Sequence, residues 1–397
     1  MDVIEQIRAA NAGRDPQRLA LKYAAMRADP FGFLRGSCAL FYARLPRGGV
    51  FKSAPLAWSC GDLHLENFGS YKADNRLAYF DLNDFDEAAL APASWDLVRL
   101  LTSVLIGTEP LVAGAADATA LCRVVLDAYA TALTAGKAYW VERDTASGLV
   151  GQLLASLRAR KRPAFLDTRT TLRAGKRRLL VDGRKAFDAT ADERRRVTRF
   201  LGEFAATQAD PGFYKTLDVA RRIAGTGSLG VERYVILVKG KGSPDGNYLL
   251  DLKAALPSAL TARLKTPQPR WATPAQRVAT LQQRLQAAPM AFLRPVVMDG
   301  RPFVLRALQP AEDRVSLVRA NTGHLTQLMA DLGRIVAWAQ LRSAGRQGSA
   351  NLDELIDFGS RKKWKPALLD AALAAADQLR RDAAVFNAAC DDGALKA

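Results

Sequence analysis

The chain has 397 residues, 49% of them hydrophobic, with 57 Lys/Arg against 40 Asp/Glu and a formal net charge of +17. This is material for a two-lobed enzyme or two to three packed domains, and no apolar run approaches the roughly 20 residues of a membrane span. Two histidines, His64 and His324, argue against His-based zinc chemistry and a Ser-His-Asp triad. Cys38, Cys60, Cys122 and Cys390 have neither metal-ligand nor redox spacing and read as free thiols of a reducing compartment. Residues 1–5 show no basic stretch leading into an apolar core, so the expected location is the cytoplasm.

Residues 1–30 carry Ile4, Ile7, Leu19, Leu21, Tyr23 and Met26 at loosely helical spacing, with Pro16 placed to start the second of two helices. In Pro30-Phe31-Gly32-Phe33-Leu34-Arg35-Gly36-Ser37 the aromatic residues surround one arginine. Arg35 is either an anchor for a phosphate or a neighbouring carboxylate, or an arginine reaching out of an apolar turn. Then comes Gly61-Asp62-Leu63-His64-Leu65-Glu66-Asn67-Phe68-Gly69, followed by Ala78-Tyr79-Phe80-Asp81-Leu82-Asn83-Asp84-Phe85-Asp86-Glu87. Phosphoryl transfer from a nucleotide needs that inventory: one carboxylate to orient an acceptor hydroxyl, and an amide oxygen with a second carboxylate to hold Mg²⁺. Asp62 fits the first role, Asn67 and Asp84 the second. Strand alternation puts Phe80, Leu82 and Asp84 on one face and Asp81, Asn83 and Phe85 on the other, so Asp81 and Asp84 are rivals as metal ligand. Asp86 is a second ligand or a helix-dipole partner, and His64 is expected to pack and hydrogen-bond.

From 95 to about 135 the pattern is helical, with Leu97, Leu100, Leu101, Val104 and Leu105 on one face. Residues 151–200 hold 15 Lys/Arg against 5 Asp/Glu; this is a solvated helix-and-loop surface or a face for a polyanionic partner, with a hairpin-like interruption at 179–183. Gly225-Thr226-Gly227-Ser228-Leu229-Gly230 follows. A dinucleotide fingerprint would open a helix, but the next run, Tyr234-Val235-Ile236-Leu237-Val238, is strand-like. A glycine turn at 242–247 leads to a third strand ending in Leu252-Lys253-Ala254. Thr273-Pro274 then caps a helix with Val278, Leu281 and Leu285 inward. A hairpin turns at 298–301, Leu308-Gln309-Pro310 ends it, and Leu325, Leu328, Met329, Leu332, Ile335, Val336 and Ala339 form one face of a long helix.

Gly61-Asp62-Leu63-His64-Leu65-Glu66-Asn67 closely resembles the catalytic loop of aminoglycoside and choline kinases, and residues 216–310 resemble a kinase small lobe with Lys253 as the lysine that bridges phosphates. The spacing from Asp84 to Asp96 matches the metal-binding aspartate of those kinases, whereas the spacing from Asp62 favours Asp81. The resemblance implies an α+β, two-lobed protein-kinase-like fold that is circularly permuted: large-lobe elements at 1–215, the small β-rich lobe at 216–310, and the remaining large-lobe helices at 311–397. It further implies ATP held by Gly225, Gly227, Ser228, Gly230, Lys253 and Arg35, Mg²⁺ at Asn67 and Asp84 or Asp81, and a hydroxyl acceptor oriented by Asp62, more readily a small molecule than a protein. The blocks Phe33-Leu34-Arg35-Gly36, 61–69, 80–87, 225–230 and 252–254 also resemble those of the DUF2252 family of bacteria. One departure stands out: no Asp or Glu lies between Asp251 and Asp299, so the bracing helix offers Lys253 only Gln282 or Gln283. A nucleotide-binding pseudokinase or scaffold, and a nucleotidyl transferase with ATP bound in reverse, are the alternatives.

Overall fold

The computed structural model describes residues 2–112, 114–318 and 320–395 of a mixed α+β chain. Its one large sheet has six strands in the order Leu293–Met298, Arg301–Leu308, Tyr248–Ala254, Arg233–Val238, Thr216–Arg222 and Ala186–Asp188, every neighbour antiparallel. The central run Arg233–Val238 is buried at every position, which is why it reads as continuous Tyr-Val-Ile-Leu-Val instead of alternating. Asp299 and Gly300 turn the first hairpin with φ of +49° and +73°, the mirror-image turn whose twist matches paired strands.

Alternation along Tyr248–Ala254 sends Leu250 and Leu252 to one face of the sheet, where they pack with Val197, Phe200 and Leu201 of the helix Ala191–Ala206. Asp251 and Lys253 therefore point the other way, into a cleft. The helix Pro274–Leu285 also forms as expected: Thr273 accepts the Gln276 N–H at 3.1 Å, Pro274 opens the first turn, and Val278, Leu281 and Leu285 are buried.

The sheet begins earlier than residue 216, because its sixth strand and the helix behind it come from the basic region. The hairpin of that region also falls earlier than 179–183, at Thr170–Arg173 and Lys176–Leu179, where Ala174 and Gly175 supply positive φ. Many of its cations are engaged internally. Arg177 pairs with Asp167 at 2.6 Å and Asp245 at 2.9 Å, Arg194 pairs with Asp218 at 2.6 Å, and Arg196 and Arg199 each meet Asp299 at 2.7 Å.

The rest of the chain is mainly helical. Ser94–Thr108 is buried almost all round and packs against Trp364–Asp391 and Ala115–Thr134. The helical pattern expected from 95 to about 135 is present as two helices, with a break where Pro110 removes a helix donor. Thr322–Arg342 lies along Ala115–Thr134, and a side chain at Gly333 would put Cβ 2.4 Å from the Val125 carbonyl oxygen. At the chain start Val3–Ala10 and Pro16–Ala28 form, the latter capped by Asp15. Among the described residues no helix is long and apolar enough to cross a membrane.

A hairpin of Phe68–Lys72 and Ala78–Leu82 joins the two parts. Its Asp81 is 3% exposed and accepts from the Leu82 N–H at 2.8 Å, the Ala287 N–H at 2.9 Å and Arg342 Nη2 at 3.1 Å. This carboxylate ties the hairpin to the ends of two helices. Asp81→Ala should therefore cost about 3 kcal/mol of stability, because it strands part of a buried ion pair and two backbone donors. Urea denaturation followed by circular dichroism measures it; a loss under about 0.5 kcal/mol, the scale of an ordinary surface change, would deny Asp81 that role.

Candidate functional site

The loop that carries Asp62 is held by its backbone. Asp96, in the first turn of Ser94–Thr108, accepts the N–H of Cys60 at 2.9 Å and of Gly61 at 3.0 Å, while the Tyr42 hydroxyl donates to the Gly61 carbonyl. Gly61 has φ of +92°, and a Cβ there would lie 2.2 Å from the Glu87 carbonyl oxygen, so the position admits glycine alone. Arg99, fully buried, donates through Nε to Asp62 Oδ1 at 2.6 Å and through Nη2 to the Leu34 carbonyl at 2.8 Å. Asn67 donates its amide N–H to the Asp62 carbonyl, which leaves its amide oxygen as the acceptor end. His64 is buried: its Nδ1 accepts the Glu66 N–H at 3.2 Å, and burial together with Arg35, Arg99 and Arg314 keeps the imidazole well below its ordinary value.

The acidic segment beyond Leu82 divides its labour. Burial, with the Asp86 carboxylate close by, pushes the Asp84 carboxyl up. Burial pushes the Asp86 carboxyl up too, but the Lys253 ammonium in direct contact outweighs it and holds Asp86 below the usual carboxylate range. Glu87 accepts the Ala259 N–H at 2.5 Å, and burial raises its carboxyl to about 7. Lys253 also donates to Ser228 Oγ at 2.7 Å, and that hydroxyl lies 3.4 Å from Asp86 Oδ2. The partner expected for Lys253 on the bracing helix is therefore replaced by Asp86. Gln282 instead approaches Gln286 and Met290, and the helix contributes Arg277, which donates to the Ala88 and Asp86 carbonyls.

The glycine turn at 225–230 joins Thr216–Arg222 to Arg233–Val238 and folds over Asp62. A Cβ on Gly227 would sit 3.2 Å from the Arg35 carbonyl oxygen and 3.6 Å from Asp62 Oδ2. Gly225 and Gly230 have φ of +73° and +86°. Two N-terminal cations fasten the turn: Arg14 donates to the carbonyls of Gly227 at 2.6 Å and Leu229 at 2.8 Å, and buried Lys22 reaches Asn11 at 2.7 Å and Gly227 at 3.3 Å. Arg35 pairs with Glu66 at 2.8 Å, a carboxylate it shares with Arg314.

Asp62, Asn67, Asp84, Lys253, Arg35 and the glycine turn line one outer cleft of about 350 Å³. An inner chamber of about 400 Å³ shares Asp84, Asp86, Gly225, Ser228 and Lys253 with it and runs under the sheet to Leu308 and Gln309. Asp81 lines neither, so of the two candidate metal carboxylates only Asp84 reaches the cleft. Among the described residues no three His, Cys, Asp or Glu side chains are grouped to hold a metal ion; the oxygen donors at hand are Asp84, the Asn67 amide and Asp86. Sequence reasoning missed the buried Arg99 and the clamps Arg14 and Lys22. It also missed a cluster on the chamber's ceiling. There Asp251, 1% exposed, receives Arg233 through Nε at 2.8 Å and Nη2 at 2.6 Å, Arg306 Nε at 3.2 Å, and Arg222. Alternation from Lys253 already put Asp251 on the cleft side; nothing local announced which arginines would meet it.

A family model described as an uncharacterized protein conserved in bacteria (DUF2252) matches residues 14–389. The chain belongs to the DUF2252 family. No curated protein matches it, and no solved structure does. The matched span takes in every site segment above, from Arg14 to Arg314, so the cleft of this DUF2252 chain lies within the family's shared region.

Asp251 also gives this DUF2252 chain an acid-sensitive point. Burial pushes its carboxyl up, but Arg222, Arg233 and Arg306 outweigh burial and hold it well below 3.8. A carboxyl depressed on folding stabilises the native state above its unfolded pKa, and that contribution is lost as pH falls through the folded value. Unfolding free energy should therefore fall more steeply from about pH 4 downward in the native chain than in Asp251→Asn. Equal slopes in urea titrations across that window would contradict the assignment.

Proposed function

We propose that the chain is a kinase-like, ATP- and Mg²⁺-dependent phosphotransferase that moves a phosphoryl group onto a hydroxyl acceptor, more readily a small molecule than a protein, in the cytoplasm. The observation that carries this reading is the convergence of Asp62, Asn67, Asp84, Lys253 and the glycine turn on one cleft, with Gly227 placed so that an added Cβ would lie 3.6 Å from Asp62 Oδ2. The architecture that goes with it is a permuted kinase-like fold. The sheet from Thr216 to Leu308, with Pro274–Leu285 beside it, serves as the small lobe, and the helices before and after it form the large one. The Ala186–Asp188 strand and the helix Ala191–Ala206 join that small lobe at its start.

The residues fit the expected Mg²⁺. Asp84 is a buried carboxylate crowded by Asp86, the setting in which a divalent cation offsets repulsion, and the Asn67 amide is oriented with its oxygen left over. Bound there, the ion would neutralise charge on phosphate oxygens. The chain's own groups do the rest. Arg99 fixes Asp62 through Oδ1, leaving Oδ2 to accept a hydrogen bond from the acceptor hydroxyl and hold its oxygen in line with phosphorus. The proton leaves late in a loose transition state, so positioning matters more than basicity. Lys253, pinned between Asp86 and Ser228, donates to phosphate oxygens, and the backbone of the glycine turn covers them. Arg35, already paired with Glu66, borders the acceptor side.

Lys253→Ala should abolish the rise in melting temperature that ATP and Mg²⁺ give the native chain. Asp62→Asn should keep that rise and lower transfer of labelled phosphate about 10²–10⁴-fold. Equal melting shifts in native and Lys253→Ala protein would remove the lysine from the site. ATP binding without transfer of either an α- or a γ-label to any acceptor would make the chain a nucleotide-binding scaffold.

A further inference from the structure

A third cavity, of about 600 Å³, lies against the loop that carries Asp62 and Asn67, and the chemistry above leaves it unused. Leu65 and Glu66 of that loop line it, whereas Asp62, His64 and Asn67 line the outer cleft. Three elements that meet here supply buried apolar side chains: Phe80 from the hairpin, Ile106 from Ser94–Thr108 and Leu332 from Thr322–Arg342. Half-buried Val315 and Leu317 form a further wall. A side chain at Gly107 would put Cβ 3.0 Å from Leu65 Cδ1 and 3.2 Å from the Phe31 ring, so glycine is what lets those two residues stand this near the helix. At the rim Leu111 and Val318 continue the apolar lining, 40% and 85% exposed, so the surface a bound molecule would cover extends beyond the cavity itself.

The charged side chains of this cavity are already answered. Glu66 holds Arg314 at 2.7 Å and Arg35 at 2.8 Å, Arg380 holds Glu109 at 2.5 Å, and Asp29 accepts the Gly32 N–H at 2.6 Å. A charged head would thus lose water there and find no free counter-charge among the described residues. A neutral molecule meets no such cost. Its apolar body gains from burial, and a hydroxyl or carbonyl oxygen can hydrogen-bond at the exposed Glu66–Arg314 pair without separating it. The volume suits a small molecule.

We propose that this cavity is a binding site for a neutral, largely apolar small molecule with one hydroxyl or carbonyl end, its body against Phe80, Ile106 and Leu332 and that end at Glu66 and Arg314. The inference goes beyond the transferase reading and does not need it, because no residue assigned above to nucleotide, metal or acceptor lines the cavity. Its place still matters to the cleft. Arg314 borders the cavity, the outer cleft and the inner chamber alike, and Phe31 of the cavity meets His64 of the cleft edge to face at 5.9 Å.

The test uses the full chain and three probes that share one alkyl chain, decanol, decanoate and decylammonium, each kept below micelle formation and competed against the neutral fluorophore N-phenylnaphthylamine. Decanol should displace the fluorophore, and at lower concentration than either ion. Val315→Trp, which fills the cavity from a half-buried wall, and Leu317→Asp, which puts an unpaired charge in it, should each weaken decanol at least about tenfold. Circular dichroism of the ligand-free variants checks that both fold, and ATP with Mg²⁺ should raise their melting temperatures as much as that of the native chain. No displacement by decanol, unchanged decanol affinity in both folded variants, or tighter binding of either ion would overturn the proposal and leave the transferase reading untouched. Conversely, displacement by decanol with no ATP shift in the native chain would sink the transferase reading and leave this site standing.

Discussion

The cleft depends on one ion pair. Lys253, on the strand Tyr248–Ala254, meets Asp86, in the acidic segment after the hairpin, and Ser228 of the glycine turn bonds to the same ammonium. Three stretches from distant parts of the chain are closed on each other by that contact. A desolvated ion pair stabilises little unless its remaining hydrogen bonds are also made, and here the serine hydroxyl makes one of them. The same contact ties the sheet to the acidic segment at the wall shared by the outer cleft and the inner chamber.

Around this pair the charges are segregated. Asp84 and Asp86 lie below, the arginines around Asp251 lie above, and Asp62 is fixed at the outer end by the buried Arg99. Mixed at random, these groups would neutralise each other and leave an inert core. Kept apart by a folded sheet, they line one chamber with carboxylates and guanidiniums both present. Arg14 and Lys22 perform a related service, holding the glycine turn by the carbonyls of Gly227 and Leu229.

Several elements were legible because their signals are local. Thr273-Pro274 capped its helix, the period of Leu325 to Ala339 gave the long helix Thr322–Arg342, and the β-branched run after the glycine turn formed a strand. The Ala186–Asp188 strand went unread because three residues carry almost no periodicity and their pairing partner lies beyond Tyr214, and the hairpin at 170–179 was placed too late because its two short strands, rich in Thr, Lys and Arg, show no apolar alternation. The expected alternation of Asp81 and Asp84 on two faces of one strand does not describe them, because the strand ends at Leu82 and Asp84 lies in the segment beyond it; nothing local says that Asp81 meets Arg342 while Asp84 lines a cleft.

What the amino-acid order by itself determined is the set of parts: an Asp and an Asn on one loop, carboxylates after a strand, a glycine turn between strands, and a lysine two positions after an aspartate. These follow from short-range sterics and from side-chain alternation, which any few residues carry with them. Only the tertiary structure decided that Asp86 replaces a helix carboxylate beside Lys253, that Arg99 holds Asp62, and that three arginines from three strands surround Asp251. Each is a contact between charges distant in sequence. The energy of such a contact depends on burial and separation, and both exist only once the sheet and helices have packed.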